Sequence, residues 1–326
     1  MTTLLDNFTE LRAYAHVLMR CESELVRPKN WQSVDVSAKP EMATHEVYGF
    51  YGMCMMGTEH LPSLQADCEP NLPWAENHFL ERVCGEPLNP GNTWKEWPYS
   101  LKADTFRDDK GQFNHNYMER YWPAYAGHTP DGSFEDFRKS PDYAPAPHFG
   151  IRHRYGDLHD VVDLFVRDPL TRQAFVPIFF PEDTGVHHQG RVPCTLGYHF
   201  ILRRNQMHVT YFMRSCDLRR HFNDDCYLTA RLVIWLLEQL RTQAPGLFDE
   251  VRLGTFTMYA TSLHIFRNDW RPLFGDAPIP GAVAGQGFVH QSSRFTSHAR
   301  ANITGASFGG QQISRFPAGG FKPPVK

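Results

Sequence analysis

Long hydrophobic runs and an excess of positive charge are both absent from this sequence. Its 326 residues contain no unbroken apolar run of the roughly 18 residues that a transmembrane helix needs. The formal net charge is -3, so the chain lacks the basic footprint of a protein that binds polymeric nucleic acid, although local basic clusters remain able to bind one phosphate. The N-terminal stretch MTTLLDNFTELRAYAHVLMR lacks the charged-then-apolar order of a signal peptide and predicts an amphipathic helix. We therefore expect a cytoplasmic protein that binds neither membranes nor polymeric nucleic acid.

Cysteine is scarce, and its spacing excludes two common structural uses. The seven cysteines are an odd number, they are scattered along the chain, and no Cys-x-x-Cys pair occurs. This pattern argues against a disulfide framework and against a zinc knuckle. Histidine is more frequent, but the adjacent pair His187 and His188 lies in a glycine-flanked segment and is interpreted as solvated. We expect no metal site.

What is present is the composition of a globular protein, with 41% hydrophobic and 21% charged residues. Apolar or alternating segments predict strands, and the sequence RNQ predicts a turn between the third and fourth of them. These predicted strands span residues 44–56, 174–180, 194–204, 207–217 and 252–266. Amphipathic patterns predict further helices over residues 72–85 and 155–168, and the apolar segment 227–243 predicts a buried central helix.

Two stretches lack such periodicity. Residues 87–148 are rich in proline, glycine and aromatics and predict a long irregular insertion, while residues 275–326 predict a loop-like C-terminal tail. Helices that are segregated from mostly non-parallel strands indicate an α+β fold. We expect one domain over residues 1–326, with a mixed sheet packed by the central helix.

Cys194 is the candidate nucleophile. It follows a proline at the start of a predicted strand, Arg191 precedes it, and Arg214 lies in the segment RSCD on the next strand. Nearby positive charge lowers the pKa of a thiol and so favours the reactive thiolate. The residues alone leave two alternatives open, an inert core cysteine and a nucleophile. A cysteine hydrolase is disfavoured, since the nearby His199 falls on the other face of the strand.

The arrangement of PC, a hairpin and then RSCD resembles thymidylate synthases and the related pyrimidine-nucleotide hydroxymethylases. Other segments that resemble this superfamily occur in the same order: THEVYG, DPLTRQ beside the family's DP-x-SRR, and SLHIFRND beside DTHLYSNH. The C-terminal GFKPPVK is also similar to the family's end. The resemblance covers residues 10–85 weakly and residues 150–270 well.

The resemblance implies a thymidylate-synthase-like fold and a homodimer with shared active sites. It also implies 5,10-methylenetetrahydrofolate as one-carbon donor and a pyrimidine nucleoside monophosphate as substrate. Cys194 would add to carbon 6 of the base, which makes carbon 5 nucleophilic. The implied substrate contacts are Arg214, Ser215 and Lys39 with the phosphate, Arg172 with the phosphate of the other subunit, and His264 and Phe266 near the sugar. Asp217 is implied beside the pterin and the base.

The superfamily also uses a glutamate to manage water and protons. Glu76 and Glu81 are the candidates, and Glu76 is preferred because it shares the predicted inward stripe with Phe79, where burial raises the pKa of a carboxyl group. Trp122 has two alternatives, stacking on the folate and ordinary packing.

Two alignments compete for the residue that reads the base. A gapped alignment selects Asn223, which matches uracil, and an ungapped one selects Asp225, which can accept from the amine of cytosine and share a proton with its N3. We choose Asp225, and the expected reaction converts dCMP or CMP into its 5-hydroxymethyl derivative. The alternatives are a dUMP hydroxymethylase, a methylase of dUMP or dCMP of the thymidylate synthase type, and a nucleotide-binding protein without catalysis.

Overall fold

The computed structural model describes most of the chain between residues 4 and 277. The described residues are 4–31, 34–35, 38–100, 107–109, 111–113, 115–123, 155–184 and 191–277. Much of the predicted insertion, the pair His187 and His188, and nearly all of the C-terminal tail lie outside them. The described residues all belong to one unit, Met1–Ala282. The assignment of the whole chain to a single domain stays a prediction.

A mixed seven-stranded sheet is the centre of this unit. Its strands are β1 (Leu4–Leu5), β2 (Glu24–Val26), β5 (Thr44–Met55), β6 (Phe175–Pro177), β7 (Thr195–Arg203), β8 (Gln206–Asp217) and β9 (Arg252–Phe266). The order is β1-β5-β9-β8-β7-β6, and β2 also pairs with β5. The β1–β5 and β8–β9 pairs are parallel and the others antiparallel. Two short strands, β3 (Asn30–Trp31) and β4 (Val34–Asp35), pair separately.

Seven α-helices occur within the described residues. They are α1 (Phe8–Glu22), α2 (Leu61–Cys68), α3 (Trp74–Arg82), α4 (Tyr117–Tyr121), α5 (Leu158–Arg167), α6 (Phe222–Gln243) and α7 (Trp270–Phe274). Local sequence explains the ends of two of them: Asn7 caps α1, and Asp157 and Asp160 form a capping box at α5. In the part of the chain that the structure describes, no helix is long and apolar enough to cross a membrane.

The predicted hairpin is confirmed and sets the geometry of the site. Arg204 and Asn205 form its two-residue turn with φ of 52° and 55°, the left-handed backbone that tight hairpins of this kind require. The backbone N–H of Arg214 donates to the carbonyl oxygen of Cys194 at 2.9 Å. The turn therefore brings the two residues singled out in the sequence side by side.

The predicted buried central helix is also confirmed. Helix α6 packs on the sheet through β8 and β9, and α2, α3 and α5 pack against it in turn. Nearly all of its residues from Cys226 to Leu237 are buried, and burial of so many large apolar side chains is the main stabilising contribution to such a core.

The predicted α+β class is confirmed, but the expected segregation of helices from strands is wrong, most clearly at α6. Helix α6 connects β8 to β9, which are parallel, and parallel neighbours need a crossover of this kind. The crossover returns the chain so that β8 and β9 run side by side, with Ser215 opposite Ser262 and Asp217 opposite His264.

Candidate active site

A cavity of about 580 Å³ lies where the C-terminal ends of β8 and β9 meet α3, the first turn of α6 and the residues just before β7. A concave pocket of this size with convergent polar groups is the usual form of a small-molecule site. The cavity is lined by eight of the residues that the sequence singled out: Arg191, Cys194, Arg214, Ser215, Asp217, Asp225, His264 and Phe266.

Cys194 and Arg214 are in direct contact within this cavity. The Arg214 guanidinium donates to the carbonyl oxygens of Pro193 at 2.8 Å and Val192 at 3.0 Å, and one of its nitrogens lies 3.7 Å from Sγ of Cys194. Burial raises the pKa of the Cys194 thiol, and Arg214 and Arg191 oppose that rise. Arg214 therefore lowers the pKa of Cys194 as expected. Burial has the larger effect, however, and the net pKa is higher than that of a free thiol.

The adjacent ends of β8 and β9 form the polar wall. Oγ of Ser215 lies 3.3 Å from Nδ1 of His264. Asp217 accepts hydrogen bonds from the backbone N–H groups of Arg219 and Arg220 and forms an ion pair with the Arg220 side chain at 2.8 Å. These contacts hold the Asp217 side chain in place at the end of β8.

Phe266 completes this wall. The guanidinium of Arg220 lies 4.7 Å from the centre of the Phe266 ring, within the range of a cation–π interaction. Arg220 thereby fixes both the Asp217 carboxylate and the Phe266 ring, and it links two predicted site residues that come from different strands.

The first turn of α6 distinguishes the two candidate base readers. The Asn223 amide donates to the carbonyl oxygen of Glu69 at 3.1 Å, and Asn223 does not line the cavity. Asp225 does line it, accepts from the Tyr211 hydroxyl at 3.3 Å and lies 3.7 Å from Sγ of Cys216. Burial raises the pKa of Asp225 to about 7, so that both its acid and its carboxylate forms are available near neutral pH.

Asp224 also lies in the first turn of α6 and also lines the cavity. The residue is buried, and its two carboxylate oxygens accept from the backbone N–H and the side-chain amide of Asn71, each at 2.8 Å. These bonds tie α6 to the segment before α3 and leave Asp225, the next residue, at the cavity.

Glu76 does not take part in the cavity. Its carboxylate accepts from both Nε and Nη2 of Arg231, at 3.0 and 2.9 Å, and from the Tyr227 hydroxyl. Burial raises the pKa of Glu76, but these hydrogen bonds more than offset the effect and the net pKa is lowered. The expectation of a raised pKa is wrong. The inward stripe predicted from the helical spacing of Glu76, Phe79, Leu80 and Val83 is wrong in part, because Leu80 is 53% exposed.

Glu81, the other candidate, is also engaged elsewhere. It accepts from the backbone N–H groups of Asn92 and Thr93 and from the Thr93 hydroxyl, and its pKa is lowered because these bonds outweigh burial. Glu81 organises the loop after α3 and, like Glu76, does not line the cavity.

Three further predicted residues lie outside the cavity. Trp122 is enclosed in the core, where its indole N–H donates to the carbonyl oxygen of Arg82 at 2.9 Å, which favours ordinary packing over the alternative of stacking on a folate. Lys39 and Arg172 are both exposed. Arg172 therefore makes no contribution to the cavity of its own chain, and the contact of Lys39 with phosphate stays a prediction.

The structure adds aromatic and basic residues that sequence reasoning missed. Trp74 stacks on His78 with ring centres 5.0 Å apart, and Trp97 stacks on His221 at 5.1 Å. All four rings line the cavity, as does Arg82. Trp74, His78 and Arg82 follow each other at intervals of one helical turn, and this spacing was the available signal.

In the ranges that the structure describes, no group of histidine, cysteine or acidic residues is arranged to hold a metal ion. The groups that line the cavity include the Cys194 thiol, the carboxyl groups of Asp217 and Asp225, histidines and arginines. Comparison with protein-family models and with curated proteins finds no match for this chain.

Proposed function

We propose that this chain is a pyrimidine-nucleotide hydroxymethylase with a thymidylate-synthase-like fold, which uses 5,10-methylenetetrahydrofolate and acts on dCMP or CMP. The observation that carries the proposal is the contact between Arg214 and Sγ of Cys194 in a cavity that also contains Asp225. The resemblance of the sequence to this superfamily rests on the same residues, and the mixed sheet with its buried helix is compatible with it.

The covalent step belongs to Cys194. Its thiolate adds to carbon 6 of the bound pyrimidine, and the electron pair of the ring double bond moves so that carbon 5 becomes nucleophilic. Arg214 stabilises the thiolate electrostatically, and an arginine retains its charge at every relevant pH. The folate, when bound, supplies the one-carbon unit that carbon 5 receives.

Asp225 supports cytosine as the base. With a pKa of about 7, its acid form can donate to N3 while the other oxygen accepts from the exocyclic amine. Uracil offers a carbonyl group where cytosine has the amine, and the carboxylate form of Asp225 has no proton to donate to that O4. The position of Asn223 outside the cavity is a second observation in favour of the ungapped alignment.

Positive charge for the 5′-phosphate is available beside the thiol. Arg191 and Arg214 both line the cavity, and Ser215 adds a hydroxyl group. Arginine presents a planar fork that matches phosphate oxygens, and hydrogen bonds between two charged groups are the stronger kind. The phosphate would thus lie next to the nucleophile and away from Asp225 on α6.

The aromatic part of the cavity fits a folate. Trp74 and Trp97 present ring systems there, and their buried indole N–H groups have no hydrogen-bond acceptor among the described residues. Buried donors are usually satisfied, and the polar edge of a pterin carries suitable acceptors. We therefore assign the folate to these two rings rather than to Trp122.

A homodimer is supported by an exposed aromatic row on the sheet. Tyr51 pairs with Tyr259 across β5 and β9, Tyr259 pairs with Phe212 on β8, and the rings of Phe212 and Phe175 are 6.2 Å apart. Tyr51, Tyr259 and Phe175 are about 40% exposed, and contiguous exposed aromatics of this kind mark interaction surfaces. Arg172, which lies close to Phe175 in the chain, would then reach the phosphate of the other subunit.

Product analysis tests the proposal. The protein is incubated with methylenetetrahydrofolate and, separately, with dCMP, CMP, dUMP and UMP, and the nucleotide products are identified by mass spectrometry. We expect a 5-hydroxymethyl product from a cytidine nucleotide. A methylated product would instead support the synthase-type reaction, and unchanged nucleotides under all four conditions would contradict both.

A further inference from the structure

A chain of three hydroxyl groups runs through the core behind the cavity and ends on Asp225. The Tyr117 hydroxyl lies 2.9 Å from Oγ1 of Thr195, and Oγ1 of Thr195 lies 2.8 Å from the Tyr211 hydroxyl. The Tyr211 hydroxyl in turn donates to Asp225 at 3.3 Å. The four residues come from α4, β7, β8 and α6, so the chain connects four separate elements.

The direction of this chain is fixed by the state of its last member. A hydroxyl group has one proton to donate, so when the Asp225 carboxylate accepts from Tyr211, Tyr211 must accept from Thr195 and Thr195 from Tyr117. Each donor is polarised by the one before it, and such chains strengthen cooperatively in a low-dielectric interior. When Asp225 carries a proton, that proton can donate to Tyr211 and the whole order can reverse.

Thr195 brings the hydroxyl chain close to Cys194. Thr195 is the residue after Cys194, it is completely buried, and both of its hydroxyl contacts are to tyrosines. Tyr117 lines the same cavity as Cys194, and burial, followed by the charge of Cys194, raises the pKa of that tyrosine. The hydroxyl chain therefore passes through the residue next to the proposed nucleophile and ends on the proposed base reader.

We propose that Tyr117, Thr195 and Tyr211 are positioning residues, which hold Asp225 at the cavity and set the balance between its carboxylate and its acid form. The role assigned to that balance, discrimination between cytosine and uracil, rests on the proposed function. The positioning itself is a property of the free protein.

Other groups also face Asp225 and act on the same balance. Burial favours the acid form most strongly. Arg82 on α3 favours the carboxylate, and the charge of Asp224 favours the acid form. The remaining titratable neighbours are Cys194, Cys216, Cys226 and Tyr117. None of these residues is changed when the hydroxyl of Tyr211 or Thr195 is removed. Variants at those two positions therefore measure the contribution of the hydroxyl chain alone to the titration of Asp225.

Infrared difference titration of the protein tests the proposal directly. The carbonyl band of the Asp225 acid form is identified by its loss in Asp225→Asn, and its titration midpoint is measured in each variant. Tyr211→Phe removes a donor to the carboxylate, so the midpoint should rise by about one unit, the effect of one hydrogen bond to a charged group. Thr195→Val and Tyr117→Phe should raise it by less, because they only weaken the Tyr211 donor.

Two matched variants provide the controls. Thr195→Ser retains the hydroxyl and should titrate like the wild type. Tyr198→Phe removes a hydroxyl group that is not part of the hydroxyl chain, from a ring whose centre lies 4.8 Å from that of Tyr211. This variant should also leave the titration midpoint of Asp225 unchanged. If Thr195→Val titrates like Thr195→Ser, or if Tyr211→Phe titrates like Tyr198→Phe, the proposal is overturned. The Thr195 pair decides the question if Tyr211→Phe does not fold.

A second readout separates this proposal from the proposed function. The pH dependence of the preference for dCMP over dUMP should move in each variant by the same amount as the infrared midpoint. Midpoints that shift as expected in a protein without activity on any nucleotide would support the positioning role and contradict the proposed function. Shifted selectivity with an unmoved midpoint would contradict the positioning role alone.

Discussion

The guanidinium of Arg214 lies 3.7 Å from Sγ of Cys194 while it donates to the carbonyl oxygen of Pro193, one residue before that cysteine. One side chain thus orders the backbone that carries the proposed nucleophile and places positive charge against its sulfur. Burial acts in the opposite direction and keeps the pKa of the thiol above its ordinary value. The reactivity of Cys194 is therefore a balance between these two effects.

Arg214→Gln should shift that balance and make Cys194 less reactive. Without the guanidinium the thiol pKa rises further, and each unit of that rise lowers the thiolate fraction at neutral pH about tenfold. The rate of Cys194 alkylation by iodoacetamide, followed by peptide mass spectrometry over a range of pH, measures the effect. Arg252→Gln, an exposed arginine on β9, is the control. Superimposable alkylation profiles for the two variants would show that Arg214 does not tune the thiol.

Asp225→Asn should reverse the choice of base. The amide donates to O4 and accepts from N3–H of uracil, and a mismatch leaves buried polar groups unpaired at about 1–3 kcal/mol each. The ratio of kcat/KM for dCMP and dUMP should change by at least about tenfold. Asn223→Asp is the matched variant and should not change the ratio, because Asn223 donates to Glu69 outside the cavity. A change in the ratio for Asn223→Asp but not for Asp225→Asn would favour the gapped alignment.

Glu76→Gln should reduce stability and retain turnover. Its carboxylate binds Arg231 on α6, and removal of the charge weakens those bonds by about 1–3 kcal/mol in the free energy of unfolding. The pKa of Glu76 is lower in the folded chain than its unfolded value of 4.5, so its contribution is complete above that pH and is lost as the pH falls through the folded pKa. Urea unfolding of the variant should therefore differ from wild type at neutral pH and converge with it in acid.

The exposed Glu250→Gln is the stability control for that comparison, since its contact with Arg252 is solvated. Equal unfolding free energies for Glu76→Gln and Glu250→Gln at neutral pH would contradict the structural role of Glu76. Loss of turnover with unchanged stability would return Glu76 to the list of catalytic candidates.

Mixed dimers should recover activity that two inactive variants lack. Arg172→Ala removes the proposed contribution to the other subunit's phosphate site, and Cys194→Ala removes the proposed nucleophile. A heterodimer of the two has one site with both residues intact, so an equal mixture should regain roughly a quarter of wild-type activity. Arg167→Ala, an exposed arginine at the end of α5, should be active alone. Heterodimers that form, as judged by native mass spectrometry, yet remain inactive would contradict a shared site.

The elements that the sequence predicts well are those in which the pattern is local. The hairpin of β7 and β8 follows from alternation and a two-residue turn, and it brings Arg214 to Cys194 without any information from elsewhere. The buried helix α6 is predicted from its apolar composition. Its role as a crossover between parallel strands depends on the pairing of β8 with β9, which no local pattern contains.

Residues whose partners are distant in sequence were predicted poorly. Glu76 has the position of an inward carboxyl group on α3, but its environment is set by Arg231 and Tyr227 on α6. Trp122 and Trp97 both lie in an aromatic-rich region without periodicity, so the sequence offers no reason to place one in the core and the other at the cavity. Tertiary packing alone makes that distinction.

The central claim is that Cys194 attacks carbon 6 of a pyrimidine nucleotide and that carbon 5 of the same ring then receives a folate-borne carbon. A base that stops the reaction midway tests this claim most directly. With 5-fluoro-dCMP and methylenetetrahydrofolate, carbon 5 carries fluorine in place of the proton that must leave, so the covalent intermediate accumulates. Intact-protein mass spectrometry should show the mass of nucleotide plus folate added to the wild type, peptide mapping should locate it on Cys194, and Cys194→Ala should show no adduct. An adduct on another cysteine, or none on the wild type under conditions where 5-fluoro-dCMP and the folate are shown to bind, would contradict the mechanism.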